Sequence, residues 1–187
     1  LDSIDLRIEP GQLVGVVGPV GSSKTSLLMA IMKEICIDER DISVQGSLAY
    51  ASQEPWIQSG TLRENILFGR PMDRRRYDAV IRDCALEHDL CVLPSGDETG
   101  IGSRGVNLSG GQKARVGLAR LAYGHADIYL MDDPLSAVDP AVGRELFSQV
   151  VCGRLHGSTR VLVTHQVLFL CGVESRMLFR AREISDQ

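Results

Sequence analysis

Polar and apolar positions alternate at the start of the chain, where Asp5 and Arg7 separate Ile4, Leu6 and Ile8; this period of two predicts a half-buried strand. Pro10 and Gly11 then turn the chain into Leu13 to Val17, an unbroken apolar run that predicts a strand covered on both faces. A glycine-rich loop follows, and Thr25 to Lys33 combines helix formers with an apolar face, so the opening reads strand, loop, helix. Val44 to Tyr50 predicts another strand, or a hairpin around Gly46. From Thr61 to Tyr123 the texture is helical: Thr61 with Glu64 forms a capping box, and Arg74 to Leu86 has helical periodicity. Strands are expected again at Ile128 to Met131 and Val161 to Val163, around a helix from Ala141 to Val150. Such alternation predicts a largely parallel α/β core without internal repeats.

Composition narrows the class without choosing a function. Hydrophobic residues make up 44% and charged residues 24% of the 187 positions, the balance of an ordinary soluble globular domain. With 20 Lys+Arg against 24 Asp+Glu the net charge is -4, so no global basic field recruits nucleic acid or an anionic membrane surface. Any phosphate binding must therefore be local. The longest apolar runs, Leu13 to Val17 and Val167 to Val173, fall short of the ~18 residues that suggest a membrane span. The chain opens at Leu1 inside an expected strand, so a piece of a longer protein is expected. Cys36, Cys84, Cys91, Cys152 and Cys171 are odd in number and contain no CxxC pair, which points to buried structural thiols in a reducing cytosol.

Three segments carry candidate chemistry. GPVGSSKT, Gly18 to Thr25, lies between a buried strand and a helix, where backbone N–H groups and the helix N-terminus can cradle phosphate oxygens. Lys24 would neutralise terminal phosphates and Thr25 would ligate Mg²⁺, although Ser23 stands where GxxxxGK[ST] has its second glycine. The alternative is a tight strand-to-helix turn. IYLMDD, Ile128 to Asp133, delivers two carboxylates at the end of a strand, where open α/β sheets place their ligands. Asp132 could hold Mg²⁺ through water and Asp133 could poise an attacking water; the alternative is a pair of solvated acids before Pro134. LSGGQ, Leu108 to Gln112, contains an S-x-x-Q capping box between Ser109 and Gln112 and two glycines that permit close approach of an anion. A plain helix start is the competing reading.

Taken together these segments resemble the ATP-binding cassette family: GPVGSSKT its Walker A, Gln53 its Q-loop, LSGGQ its signature, IYLMDD its Walker B, SAVD (Ser136 to Asp139) its D-loop and His165 its switch histidine. The order and spacing match over almost the whole chain. AYASQEPWIQSGTLRENILFG, Ala49 to Gly69, together with ETGIGSRGVNLSGGQ, is most similar to the first nucleotide-binding domain of the multidrug-resistance-associated C subfamily, which also contains a regulated chloride channel and the sulfonylurea receptors.

The resemblance implies a P-loop NTPase (RecA-like) α/β core with a mainly parallel sheet, an N-terminal antiparallel β portion and a helical subdomain inserted over residues 61–123 of a domain spanning 1–187. It further implies a head-to-tail dimer with a second nucleotide-binding domain, ATP being sandwiched between the Walker motifs of one and the signature of the other. Gly18, Pro19, Val20, Gly21, Ser22, Ser23, Lys24, Thr25 and Ser26 would hold the nucleotide, and Ser109, Gly110, Gly111, Gln112 and Asp139 would complete the composite sites. Thr25, Gln53 and Asp132 would serve Mg²⁺. Asp133, His165 and Gln53 would serve hydrolysis, Gln53 also coupling to transmembrane domains at the cytoplasmic face of a membrane. No nucleic acid and no direct membrane insertion are implied, and Trp56 and the Arg74 to Arg76 cluster are read as packing and a solvated face. A nucleotide-sensing domain of a channel or receptor, and a soluble cassette ATPase, are the rival readings.

Departures from the family pattern bear on turnover. Asp133 replaces the usual glutamate, as is common in first domains of the C subfamily, and its carboxylate is one methylene shorter. Ser23 is expected to crowd the phosphate loop. The aromatic residue that the family places upstream of Walker A is expected to precede Leu1, since the sequence begins too late to contain it. FRAREI, Phe179 to Ile184, and Cys171-Gly172 are expected to be loop divergence without catalytic consequence.

Overall fold

Leu13–Val17 (β1) is buried at every position, as an unbroken apolar run in a sheet covered on both faces must be. In the computed structural model, which describes residues 4, 6–19, 21–35, 42–105, 107–166 and 175–178, β1 lies inside a five-stranded sheet. Its neighbours are Thr159–Thr164 (β6) and Ser175–Leu178 (β7), followed outward from β6 by Ile128–Asp132 (β5) and Leu48–Ala51 (β2). The order is β2-β5-β6-β1-β7 and each pairing is parallel. Phe179 to Ile184 and Cys171-Gly172 lie outside the described residues.

Alternate residues of each strand serve opposite layers. Val14, Val16, Leu130, Val161 and Val163 pack with Leu27 and Leu28 of Lys24–Ile31 (α1), whereas Leu13, Val17, Tyr129, Met131 and Leu162 face a larger core built with the other helices. That second layer holds Leu62–Leu67 (α2), Arg74–Asp83 (α3), Glu87–Val92 (α4) and Gly110–Tyr123 (α5). It also holds Pro140–Leu146 (α6), which continues as a π-helical stretch over Phe147–Arg154. Buried Arg160 fastens this stretch to the sheet by donating to the carbonyls of Val151 and Gly11 at 2.9 and 2.8 Å. The expected α/β core is therefore present, and the capping boxes at Thr61/Glu64 and Ser109/Gln112 both form.

Three local expectations are corrected. Residues 4 and 6–9 form no strand; Ile8 docks against the α1-side core without a partner strand to satisfy its backbone. Antiparallel pairing instead joins Gly60–Thr61 (β3) to Gly100–Ile101 (β4). Gly46 makes no hairpin, because β2 pairs parallel with β5; its positive φ of 116° and absent Cβ let Asp127 pass and accept hydrogen bonds from the Ser47 N–H and hydroxyl. Of the described cysteines only Cys84 is fully buried, where burial pushes its thiol well up, while Cys91 on α4 faces solvent.

Candidate functional site

The parallel sheet decides where chemistry can occur. Val17 at the end of β1 pairs with Thr164 of β6, and Asp132 of β5 pairs with Val163, so three adjacent strands finish side by side and their following loops share one edge. The loop after β1 contributes Lys24 and Thr25, β5 contributes Asp132 and Asp133, and β6 contributes Thr164 and His165.

Asp132 shares the α1-side face with Leu130, which brings it to the start of α1. There the Thr25 hydroxyl donates to Asp132 Oδ2 at 2.7 Å. Lys24 folds into its own loop, its ammonium donating to the carbonyls of Gly18 and Pro19 at 2.8 and 2.7 Å and to Ser22 Oγ at 3.3 Å. Ser22 tightens the turn, its hydroxyl bonding Pro19 O at 2.7 Å. Ser23, the N-cap of α1, has φ 61° and ψ 26° and makes no side-chain cap bond. A left-handed backbone is a physical reason for glycine at this position in addition to the crowding expected from the sequence. Val20 lies outside the described residues.

Asp133 is 6% exposed and Asp132 5%, which removes the alternative of solvated acids at a strand end. The backbone of Asp133 also has a positive φ, 46°, while its N–H bonds Val163 O at 2.8 Å. Oδ1 accepts from Thr164 Oγ1 at 3.1 Å, and Oδ2 lies 2.5 Å from His165 Nδ1. Thr164 Oγ1 in turn accepts the Gln166 N–H at 3.0 Å, tying the loop that carries His165 to the same carboxylate. Ser136 of the SAVD segment bonds Asp133 O through both its N–H and its hydroxyl.

Thr164 and Tyr50 escaped the sequence reading. Burial first, and then the nearby Asp132 carboxylate, push the Tyr50 phenol up. Tyr50 could have been found from strand register, since it sits beside Leu130, two residues before Asp132. Thr164 sits at the buried end of an apolar strand and reads in the sequence as an ordinary strand terminus.

Gln53 is exposed just beyond β2, and no hydrogen bond joins it to Thr25, Asp132 or Asp133 among the described residues. Its loop rests on α5 at Gly117, where a Cβ would come within 2.9 Å of Pro55 Cβ. Among the described residues no hydrogen bond joins the signature to Lys24, Thr25, Asp132 or Asp133 either. Ser109 Oγ accepts the Gln112 N–H at 3.2 Å and Gln112 Oε1 accepts the Ser109 N–H at 2.8 Å, so the first turn of α5 is capped while Ser109 and Gly110 stay exposed. Gly111 packs on Ala137 O. Asp139 caps α6 through the Ala141 N–H at 2.8 Å.

Trp56 is not packing residue alone: it is 59% exposed and meets Phe68, 42% exposed, edge to face. The Arg120 guanidinium lies over both rings. Nor is the arginine cluster merely solvated, since Arg76 donates to Gly124 O at 2.7 Å and covers the Tyr123 ring, while Arg74 pairs with Asp78.

A glycine-bearing loop between a buried strand and a helix, its Lys-Thr pair leading into that helix, and a carboxylate reaching that threonine from a neighbouring parallel strand define a P-loop nucleotide-binding protein. The family model described as ABC transporter matches residues 1–136. The chain belongs to the ABC transporter family, whose defining domain binds and hydrolyses ATP. It is 53% identical over 98% of its length to the probable multidrug resistance-associated protein lethal(2)03659 of Drosophila melanogaster. It is 54% identical over 91% of its length to the human ATP-binding cassette sub-family C member 4, and 53% identical over 90% to the multidrug resistance protein mrp-7 of Caenorhabditis elegans. The chain spans 13%, 13% and 11% of the lengths of these relatives.

Proposed function

We propose that this chain is the first nucleotide-binding domain of a C-subfamily transporter, that it binds Mg-ATP in a head-to-tail pair with a second such domain, and that it couples binding and slow hydrolysis to transport. The convergence of Lys24, Thr25, Asp132, Asp133 and His165 at the ends of β1, β5 and β6 carries this reading. Lys24 would leave the loop carbonyls and neutralise the terminal phosphates, exchanging neutral acceptors for charged ones. Thr25 Oγ1 and Asp132 Oδ2 form a hard-oxygen pair suited to Mg²⁺, which is ordinarily held by one or two protein oxygens together with phosphates and water. When bound, that ion would balance charge developing on the transferred phosphoryl group. Gln53 would join this site only once its loop moves inward.

Asp133 would orient the attacking water, and His165 would meet the γ-phosphate. In the structure both Asp133 oxygens are already engaged, by Thr164 and His165, so a water competes with two internal partners. This observation favours slow turnover, and it equally favours a nucleotide-sensing domain of a channel or receptor as the second reading. Ser109 to Gln112 would close over the nucleotide held by the partner domain. The exposed Trp56 and Phe68 would dock the transmembrane domains, placing the chain at the cytoplasmic face of a membrane with residues 61–123 as its helical subdomain. No helix among the described residues is long and apolar enough to cross a membrane.

Lys24→Ala tests the nucleotide site. Losing a charge-assisted phosphate contact is expected to weaken Mg-ATP binding by about 1.5 to 3 kcal/mol, measured by titration calorimetry. Equal affinity in a folded variant would show that nucleotide does not occupy this loop.

A further inference from the structure

Among the ionic groups outside the Walker cluster, Asp89 on α4 combines deep burial with direct contact to the signature. It is 7% exposed. Its Oδ1 accepts from Gln112 Nε2 at 2.9 Å and from Arg115 Nη2 at 3.1 Å. Its Oδ2 lies 2.8 Å from Arg115 Nη1, one of whose hydrogens is donated to Ala85 O, 2.7 Å away; Oδ2 receives no hydrogen bond, and this contact is one of charge. Helix α4 is thereby fastened to the first turns of α5.

The polarity of this contact matters. The two ends of a glutamine amide have nearly the same shape, so packing alone does not choose between its two orientations. A carboxylate offers acceptors only and so calls for Nε2 of Gln112, while the Ser109 N–H, a donor, calls for Oε1 and closes the capping box; the two partners hold the amide in one orientation. Gln112 N–H is then held by Ser109 Oγ, and the N–H groups of Gly110 and Gly111 remain fixed in direction and available to an anion.

We propose that Asp89 is a positioning residue for the signature: by a charge-assisted hydrogen bond it anchors the Gln112 amide that closes the capping box, and through it the geometry with which Ser109 to Gly111 meet the partner domain's nucleotide. The role rests on the reading of this segment as the closing element of the composite site. An asparagine at position 89 keeps the size of the side chain but removes its charge and replaces one acceptor oxygen with an NH₂ group, so its hold on Gln112 and Arg115 weakens.

The test uses the full-length protein that contains this chain, with ATPase activity measured against Mg-ATP concentration and normalised to folded protein. Asp89→Asn is expected to raise KM about tenfold, the scale of a hydrogen bond to a charged group, with kcat changed less than about threefold. Gln112→Met, which removes the amide while leaving Asp89 paired to Arg115, is expected to raise KM similarly, and the double variant no further, because both changes act through one contact. A purely structural role would lower the yield of folded protein and leave KM unchanged. An unchanged KM in Asp89→Asn, or effects that multiply in the double variant, would overturn the proposal; if Asp89→Asn does not fold, an unchanged KM in Gln112→Met overturns it. Gly110→Asp separates the two levels. Loss of turnover there with normal KM in Asp89→Asn sinks the positioning role alone, whereas normal turnover in Gly110→Asp sinks the closing role of the signature and this proposal with it.

Discussion

Replacing Asp133 by glutamate sets two effects of opposite sign against each other. The added methylene would carry the carboxylate about an ångström toward the position of the attacking water, and misplacement on that scale costs about 10²-fold, or ~2.7 kcal/mol of barrier. Against this, residue 133 is 6% exposed and has φ 46°, a conformation that aspartate adopts more readily than glutamate. Fitting the larger side chain is expected to cost about 1 to 3 kcal/mol of stability. The lengthened side chain would also leave Thr164 Oγ1 and His165 Nδ1, freeing the two oxygens that they now engage separately. Asp133→Glu is therefore expected to lower the melting temperature while accelerating single-turnover cleavage by up to about 10²-fold. The assay belongs in the full-length protein with the second site inactivated, because closure over the nucleotide requires the partner signature. Unchanged single-turnover cleavage with nucleotide bound would show that carboxylate length does not limit the chemistry.

Two further perturbations probe the loop and the helical layer. Ser23→Gly removes the left-handed strain of a side-chain-bearing residue and is expected to gain about 0.5 to 1 kcal/mol, a rise of roughly 2 °C in Tm, with tighter Mg-ATP binding; an unchanged or lower Tm would refute the strain argument. Although burial works against it, hydrogen bonding and charge from Arg63 hold the Asp97 carboxyl below its ordinary value. A depressed carboxylate contributes stability above the unfolded pKa of about 3.9 and loses it as pH falls through the folded value. Arg63→Ala should thus cost about 1 kcal/mol at pH 7 and progressively less below about pH 3.9, measured by denaturant melts at both ends; a pH-independent difference would mean that the pair contributes through packing alone.

Elements whose cause is local were legible in the linear chain. The Ser109/Gln112 and Thr61/Glu64 boxes form because both partners lie within one turn, and Leu13–Val17 is a buried strand because an unbroken apolar run has no polar face to expose. The Lys-Thr pair opening α1 and the acids ending β5 were legible for the same reason. Sheet order was not, since period-two patterning says which face is buried but not which strand lies alongside; Val44 to Tyr50 reads equally as a strand or as a hairpin around Gly46, and only the parallel pairing of β2 with β5 decides for the strand. The left-handed backbones of Ser23 and Asp133 follow from the constraints of the completed sheet edge. Thr164 and Tyr50 acquire roles only because β6, β5 and β2 end at one level, and Asp89 reaches Gln112 only because α4 packs on α5. Each of these contacts joins residues whose separation along the chain is erased by packing, and their chemistry is therefore a property of the tertiary structure.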